Sequence, residues 1–496
     1  MCGRLAVATS HPQAAQVGLQ VLIDGGNAVD AAVATAAALT VVEPTANGLG
    51  SDAFALVCDG AIHGYNGSGR SPGSWIRERF DGRDAMPRRG WDAVTVPGAV
   101  ALWATLVEEH GTRDLGTLLE PAIRLAADGF FVAPGAARGW ARAAEDLGRF
   151  DGWAATFLRD GVPGPGERRV LPDHAATLEE LARTGGESLY RGALAERLVA
   201  DSGGLMSPGD LGSHATERAT PLSVPFGGLE LVELPPNGQG LAALIAAGVL
   251  DRVGGDLHHQ LEAMKVGFAD AHRYVADPGF LDVDPADLLD PAWLDARAAT
   301  VGDRAQLPSA GPPPSASTVY LCVGDAAGRM VSFIQSNYEG FGSGVVVPGT
   351  GIALQNRGAG FTLERGHPNE VGPGKRPFHT IIPALLREDG VVRCAFGVMG
   401  GAMQPQGHLQ VLAHLARGLD PQAALDQPRW RLGPGRTVWL EPGLAGQAAS
   451  LAARGHEPVV IEDGSVFFGG GQAVVRVDGG WVAGSDQRRD GQAVVA

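Results

Sequence analysis

From Ser317 to Gly344 the chain sets a threonine where a segment that cannot be regular structure meets one that reads as buried strand. Residues 308–317, Pro-Ser-Ala-Gly-Pro-Pro-Pro-Ser-Ala-Ser, are too proline-rich for a strand or helix interior and read as an exposed loop. The apolar runs Val319 to Val323 and Met330 to Asn337 then flank Asp325-Ala326-Ala327-Gly328, which is a hairpin pattern. With the turn centred between Ala326 and Ala327, Thr318 faces Gln335 across the pair, next to Ser336.

The remaining chain alternates short apolar runs with amphipathic segments, as a layered α/β plan requires. Pro12 opens a helix with Ala15, Leu19 and Leu22 on one side, and Gly25-Gly26 stops it. Asn27 caps the next, alanine-rich helix, with Asp30 in its first turn and Glu43-Pro44 at its end. Strands are expected at Leu5 to Ala8 and Ala53 to Val57, and helices after Val96-Pro97-Gly98, across 135–200 and over Leu261 to Ala271. Two further strands are expected, one over Gly349 to Asn356 and one over Arg376 to Pro383. Gly397 to Ala402 leads into a helix around Val411.

A net charge of −16 argues against nucleic acid as a partner. No run is long and apolar enough for a membrane span, and no P-loop occurs. Cys2, Cys58, Cys322 and Cys394 have neither zinc nor disulfide-framework spacing, and the latter two sit in apolar runs as small core residues. His258, His259 and Glu262 could pass for metal ligands, but adjacent histidines on a helix diverge and no third ligand stands out, so they read as a solvated helix start. The first residues lack a charged stretch followed by a long apolar run and cleavage site, so a cytoplasmic location is expected.

The loop–strand junction at Thr318 resembles the self-cleavage point of the gamma-glutamyltransferase family of N-terminal nucleophile hydrolases. The resemblance continues, in the family's order, through Phe341-Gly342-Ser343-Gly344, Gly351-Ile352, Pro373-Gly374-Lys375-Arg376-Pro377 and Gly400-Gly401. Upstream it covers Asp24 to Ala34, Leu118 to Ala126 and Leu234-Pro235-Pro236-Asn237-Gly238-Gln239-Gly240, the last closest to acylase-like relatives. It implies an αββα four-layer sandwich, built from a precursor whose residues 1–317 become a large subunit and 318–496 a small one. Thr318 would be the nucleophile, using its own freed α-amine as base. Gly400 and Gly401 would hold the oxyanion with their N–H groups, and Ser336 would assist at the nucleophile. Arg70, within Gly-Ser-Gly-Arg-Ser-Pro, takes the position that grips a substrate carboxylate, and Tyr338, His379 and Thr380 take further substrate-binding positions. Seen alone, Thr318 would read as a strand-start residue, Arg70 as a loop arginine and Gly400-Gly401 as a turn.

The resemblance implies no metal or organic cofactor. Its partners are a small-molecule substrate and the two subunits of one precursor, with neither nucleic acid nor membrane; it leaves room for a homo-oligomer. The chain departs from the family where gamma-glutamyl recognition is built. Ala359 and Gly360 stand in place of the two acids that meet a substrate ammonium, and His379-Thr380 replaces a serine pair. The expected activity is therefore hydrolysis of an amide with a carboxylate-bearing acyl group, by way of an acyl-enzyme. True gamma-glutamyl transfer, cleavage of a C–C bond to an oxalyl-type group, and an uncleaved non-enzymatic member are the alternatives.

Overall fold

The computed structural model describes residues 1–307, 317–462 and 465–496. The loop expected over 308–317 lies outside them, except for Ser317, whose backbone already belongs to the first hairpin strand. That hairpin forms as the sequence predicts, Ser317–Gly324 against Met330–Tyr338, with Val319 rather than Thr318 opposite Gln335.

The hairpin is the middle of a seven-stranded antiparallel sheet. Its order is Gln492–Val495, Ala6–Thr9, Ser317–Gly324, Met330–Tyr338, Asp52–Cys58, Ile62–Gly67 and Glu217–Ala219. A second seven-stranded antiparallel sheet runs Cys2–Gly3, Gly480–Ser485, Gly470–Val477, Val391–Met399, Ala384–Glu388, Leu229–Glu233 and Leu222–Phe226.

Strand alternation sorts the apolar side chains into three layers of core. Val319, Leu321 and Val323 face the helices Pro12–Ile23 and Ala28–Val42. Their neighbours Tyr320 and Cys322 point the other way and meet Leu385, Met399, Val474 and Trp481 of the second sheet. The far face of that sheet, with Leu231, Phe396 and Val398, packs on the helices Gly240–Val253, Leu257–Tyr274 and Met403–Leu415. The result is helix, sheet, sheet, helix: the αββα sandwich.

Small residues set the layer spacing. Every residue of the Ala28–Val42 helix is buried, which its alanines allow by letting the backbone lie close to the sheet. Asn27 and Asp30 form the expected reciprocal cap at its start. Between the sheets, a Cβ at Gly397 would stand 2.5 Å from Tyr320 Cε2, so only glycine lets that tyrosine fill the layer.

Two expected strands are absent as ladders. Gly349 to Asn356 and Arg376 to Pro383 are largely buried but irregular, held by isolated bridges: Leu354 to Gly50 (parallel) and Ala353 to Val346 (antiparallel) in the first, His379 to Gly238 (parallel) in the second. Pro377 and Pro383 remove donors a ladder would need. Side chains do the pairing instead: Asn237 Nδ2 donates to Pro377 O (2.8 Å) and Gln239 Nε2 to Thr380 O (2.5 Å).

Candidate active site

Thr318 sits at a bulge. Ser317 pairs with Tyr338 and Val319 with Gln335, so Ser336 and Asn337 together oppose the single Thr318. Such an irregularity re-aims side chains, and it occurs here at the end of the sheet. Thr318 Oγ1 donates to Ser336 Oγ (3.3 Å) and accepts from Gln404 Nε2 (3.3 Å). It is 1% exposed. Gln404 is fixed from behind, its Oε1 accepting from Ile382 N at 3.0 Å.

Gly400 and Gly401 form the turn between the Val391–Met399 strand and the Met403–Leu415 helix. Their φ values, +126° and +61°, are backbone that glycine adopts without penalty. The Gly401 carbonyl is held by Gln239 Nε2 (2.9 Å) and Gln404 N (3.0 Å). Among the described residues, neither glycine N–H has an acceptor. Both N–H groups lie at the positive end of the Met403–Leu415 helix dipole.

The opposite wall comes from the same sheet. Asp52 lies across from Ser336 in the ladder and is fully buried. Its Oδ2 is 3.2 Å from His379 Nε2, and its Oδ1 accepts from Gly98 N at 3.1 Å. Because His379 Nδ1 accepts from Ile381 N (3.4 Å), Nε2 carries the proton and donates to Asp52. Burial pushes the Asp52 carboxyl up to about 7, with the Arg357 guanidinium holding it down. Burial, reinforced by that same guanidinium, drops His379 well below the usual histidine range, so its ring is neutral.

Four of the eight expected site residues are joined, three by direct contacts and the fourth through Arg357: Thr318, Ser336, Tyr338 and Thr380. Tyr338 N donates to Ser336 Oγ (2.8 Å), and the Tyr338 ring stacks on the guanidinium that bonds Thr380. Gly401 joins through Gln239 and Gln404, with Gly400 as its chain neighbour. His379 departs from expectation: both ring nitrogens are in use and Phe54 packs edge-on at 4.8 Å, so the ring props the site and has no donor left for substrate. Arg70 is engaged by protein groups. Its Nη1 donates to Asp277 Oδ2 (2.6 Å) and Gly374 O (3.0 Å), and its Nη2 to Glu217 Oε1 (3.1 Å). Nη1 and Nη2 thus already hold protein acceptors, on a side chain that is 40% exposed.

Sequence reasoning missed Arg357, Gln239 and Gln404. Glutamines carry no chemical signature, so only the fold could place those two. Arg357 did have a signal, being a permanent cation two residues before the Ala359-Gly360 that replaces two acids.

The solvated reading of His258 and Glu262 is wrong. Both are buried, and a third group, His456, arrives from a distant strand-leading loop, with His258 Nδ1 to His456 Nε2 at 2.8 Å. Lys265 Nζ lies 2.7 Å from Glu262 Oε1 and already supplies the positive charge that a cation there would bring. The cluster instead grips backbone. His258 Nε2 donates to Gly302 O, Lys265 Nζ donates to Gln306 O, and Gln306 N donates to Glu262 Oε2.

Comparison with known proteins agrees with the geometry. The family model "Gamma-glutamyltranspeptidase" matches residues 14–496. The chain is 37% identical to the glutathione hydrolase-like YwrD proenzyme of Bacillus subtilis, over 98% of each protein. It is 38% identical to the oxamate amidohydrolase proenzyme of Klebsiella pneumoniae, over 99% of this chain and 98% of that one. Among solved structures, cephalosporin acylase from Bacillus halodurans superposes with a TM-score of 0.95 at 44% identity, covering 100% of this chain and 96% of that one. The chain belongs to the gamma-glutamyltranspeptidase family and, like these relatives, is an enzyme of the N-terminal nucleophile hydrolase class.

Proposed function

We propose that the protein is an N-terminal threonine amidohydrolase whose substrate carries a carboxylate, and no α-ammonium, on its acyl group. The observation that carries this reading is the Thr318 hydroxyl, held between Ser336 and Gln404 at the bulge and joined through Gln404 to the turn that offers the Gly400 and Gly401 N–H groups.

The first event is cleavage of the precursor. Thr318 Oγ1 attacks the Ser317 carbonyl, the peptide bond breaks to an ester, and water hydrolyses the ester to a Ser317 carboxylate and a free Thr318 α-amine. That amine, with an ordinary pKa of about 7.7–8.0, then serves as the base for the hydroxyl in turnover. Thr318 Oγ1 attacks the substrate amide, the two glycine N–H groups stabilise the oxyanion, and the protonated α-amine delivers its proton to the leaving amine. Water resolves the acyl-enzyme by the reverse proton path. That relatives are named proenzymes supports the cleavage, and one named for oxamate supports a short carboxylate-bearing acyl group. The cytoplasmic setting is part of this proposal, and four unpaired cysteines, three of them buried, support it.

The selectivity follows from the Arg357–Gly360 turn. It offers no carboxylate to a substrate ammonium, and it brings a buried cation instead. Gly360 has no room to regain an acid without movement, because a Cβ there would stand 2.4 Å from Phe378 O. At a surface-like dielectric the missing ion pair is a few kcal/mol, about a hundredfold in rate. A glutaryl anilide should therefore be hydrolysed at least about a hundredfold more efficiently than its gamma-glutamyl counterpart, with Thr318→Ala inert on both. Side-by-side kcat/KM values decide it, and a preference for the gamma-glutamyl compound overturns the reading.

A further inference from the structure

Arg357 is buried at the site with one edge of its guanidinium unpartnered among the described residues. It is 1% exposed, its Nη1 donates to Thr380 Oγ1 at 2.9 Å, and its Cζ lies 4.8 Å from the centre of the Tyr338 ring. Nε and Nη2 are buried without a hydrogen-bond partner among the described residues. Asp52 and Glu339 act on it only through space.

Nε–H and the adjacent Nη2–H form the parallel pair with which a guanidinium takes a carboxylate side-on. The same edge is filled elsewhere in this molecule. Arg387 uses it on Glu230, at 2.6 and 2.5 Å, and Arg488 uses it on Glu441, again at 2.6 and 2.5 Å. Of the three, Arg357 is the most deeply buried and has the most to lose by leaving the edge bare.

The setting of Arg357 is itself built at a cost. Tyr338 has φ +76°, backbone that a bulky residue rarely adopts, and this places its ring against the guanidinium. Two contact chains then lead from Arg357 to the reacting groups. One runs through Tyr338 N and Ser336 Oγ to Thr318 Oγ1. The other runs through Thr380 and Gln239 to Gly401. Thr318 and Arg357 are both 1% exposed, buried in the same contact network.

We propose that the Nε/Nη2 edge of Arg357 is the receptor for the carboxylate on the acyl group, and that Arg70, spent on Asp277 and Glu217, is not. The inference rests on the amidohydrolase reading above and narrows its substrate to a monoamide of a dicarboxylic acid. The carboxylate would be gripped at one end while the glycine N–H groups receive the carbonyl oxygen at the other, which fixes the scissile bond over Thr318.

The test compares a glutaryl anilide with its carboxamide isostere, in which the carboxylate is a neutral amide of the same shape. The wild type should favour the carboxylate by about a hundredfold in kcat/KM. Arg357→Gln should bring that ratio near one, and Arg357→Lys, which keeps charge but loses the fork, should fall between. Arg70→Lys should keep the preference. Melting curves with and without glutarate give a readout independent of turnover: glutarate raises the wild-type Tm and leaves that of Arg357→Gln unmoved. Arg357→Lys guards against a variant that fails to fold. A preference that survives both Arg357 substitutions, or that vanishes in Arg70→Lys, overturns the assignment. If the wild type cuts neither anilide, the amidohydrolase reading fails, and the glutarate melts still decide whether Arg357 binds a carboxylate.

Discussion

At the scale of single residues, the site keeps one acid unusually protonated beside a neutral histidine and a buried cation. Asp52 has a folded pKa of about 7 against an unfolded value of about 3.9, so the folded protein holds a proton that the unfolded chain has released in that interval. The stability this group contributes is complete below about pH 4 and is lost as the pH rises through about 7. Burial and the Arg357 guanidinium hold His379 well below the usual histidine range, which favours its neutral ring. Asp52→Asn removes the titration. Denaturant unfolding should show the Asn variant gaining on the wild type between pH 4 and 7.5, and a constant difference would mean that Asp52 ionises normally in the fold. Such detail was only half legible beforehand. The order of motifs singled out Thr318 and Gly400-Gly401, because each motif is itself a short local run, whereas the Gln404 and Gln239 contacts on them are long-range. Arg70 and His379 stood at the right motif positions, yet Asp277 and Glu217 claim the one and Asp52 the other across hundreds of residues.

At the scale of elements, periodicity found what propensity and capping control. The Pro12 and Asn27 helices and the central hairpin form within a residue or two of expectation, because caps, glycine stops and turn residues are local codes. The stretches at 349–356 and 376–383 looked like strands because they are buried, but burial alone does not give a ladder when prolines take away donors. The Leu257–Tyr274 helix was misjudged for the opposite reason. Its polar face meets not water but the chain at Gly302 and Gln306, the last described turn before the segment that leads to Thr318. Lys265, Glu262, His258 and His456 thus anchor the end of the large portion where precursor cleavage would free it. Lys265→Met leaves the Glu262 carboxylate buried without its lysine, with Gln306 N and, at 3.7 Å, His456 Nε2 against it, at a cost of about 3–5 kcal/mol. Thermal melting should show a lower Tm, and protease should cut sooner between Gly302 and Gln306. The double change Glu262→Gln with Lys265→Met should recover part of the loss, since no unpaired charge is then left behind. An unaltered melt in Lys265→Met would remove the cluster as an anchor.

At the scale of the whole molecule, the proposed cut at Thr318 divides the sequence but not the fold. Among the described residues, five strand pairings run between residues 1–317 and 318–496. In the first sheet Ala6–Thr9 lies between Gln492–Val495 and the Ser317–Gly324 strand, and Met330–Tyr338 pairs with Asp52–Cys58. In the second sheet the strands of the later portion are flanked on both sides by Cys2–Gly3 and Leu229–Glu233. The layer between the sheets mixes Ala8, Phe54 and Leu56 with Tyr320, Ile334, Leu385 and Met399. Separating the portions would bare every one of these strand edges and split a continuous apolar core, so neither portion can keep its fold alone. The purified wild type should therefore show two masses in denaturant, the smaller beginning at Thr318. In native buffer it should elute as one species and unfold in a single transition. Thr318→Ala should remain one chain with the same native elution, and Thr318→Ser should still be cut, because serine retains the hydroxyl. Fragments that part in native buffer, or two separate unfolding transitions, would contradict the shared core. A wild-type chain that stays whole after prolonged incubation would instead contradict the cut, and with it the free α-amine on which the proposed chemistry depends.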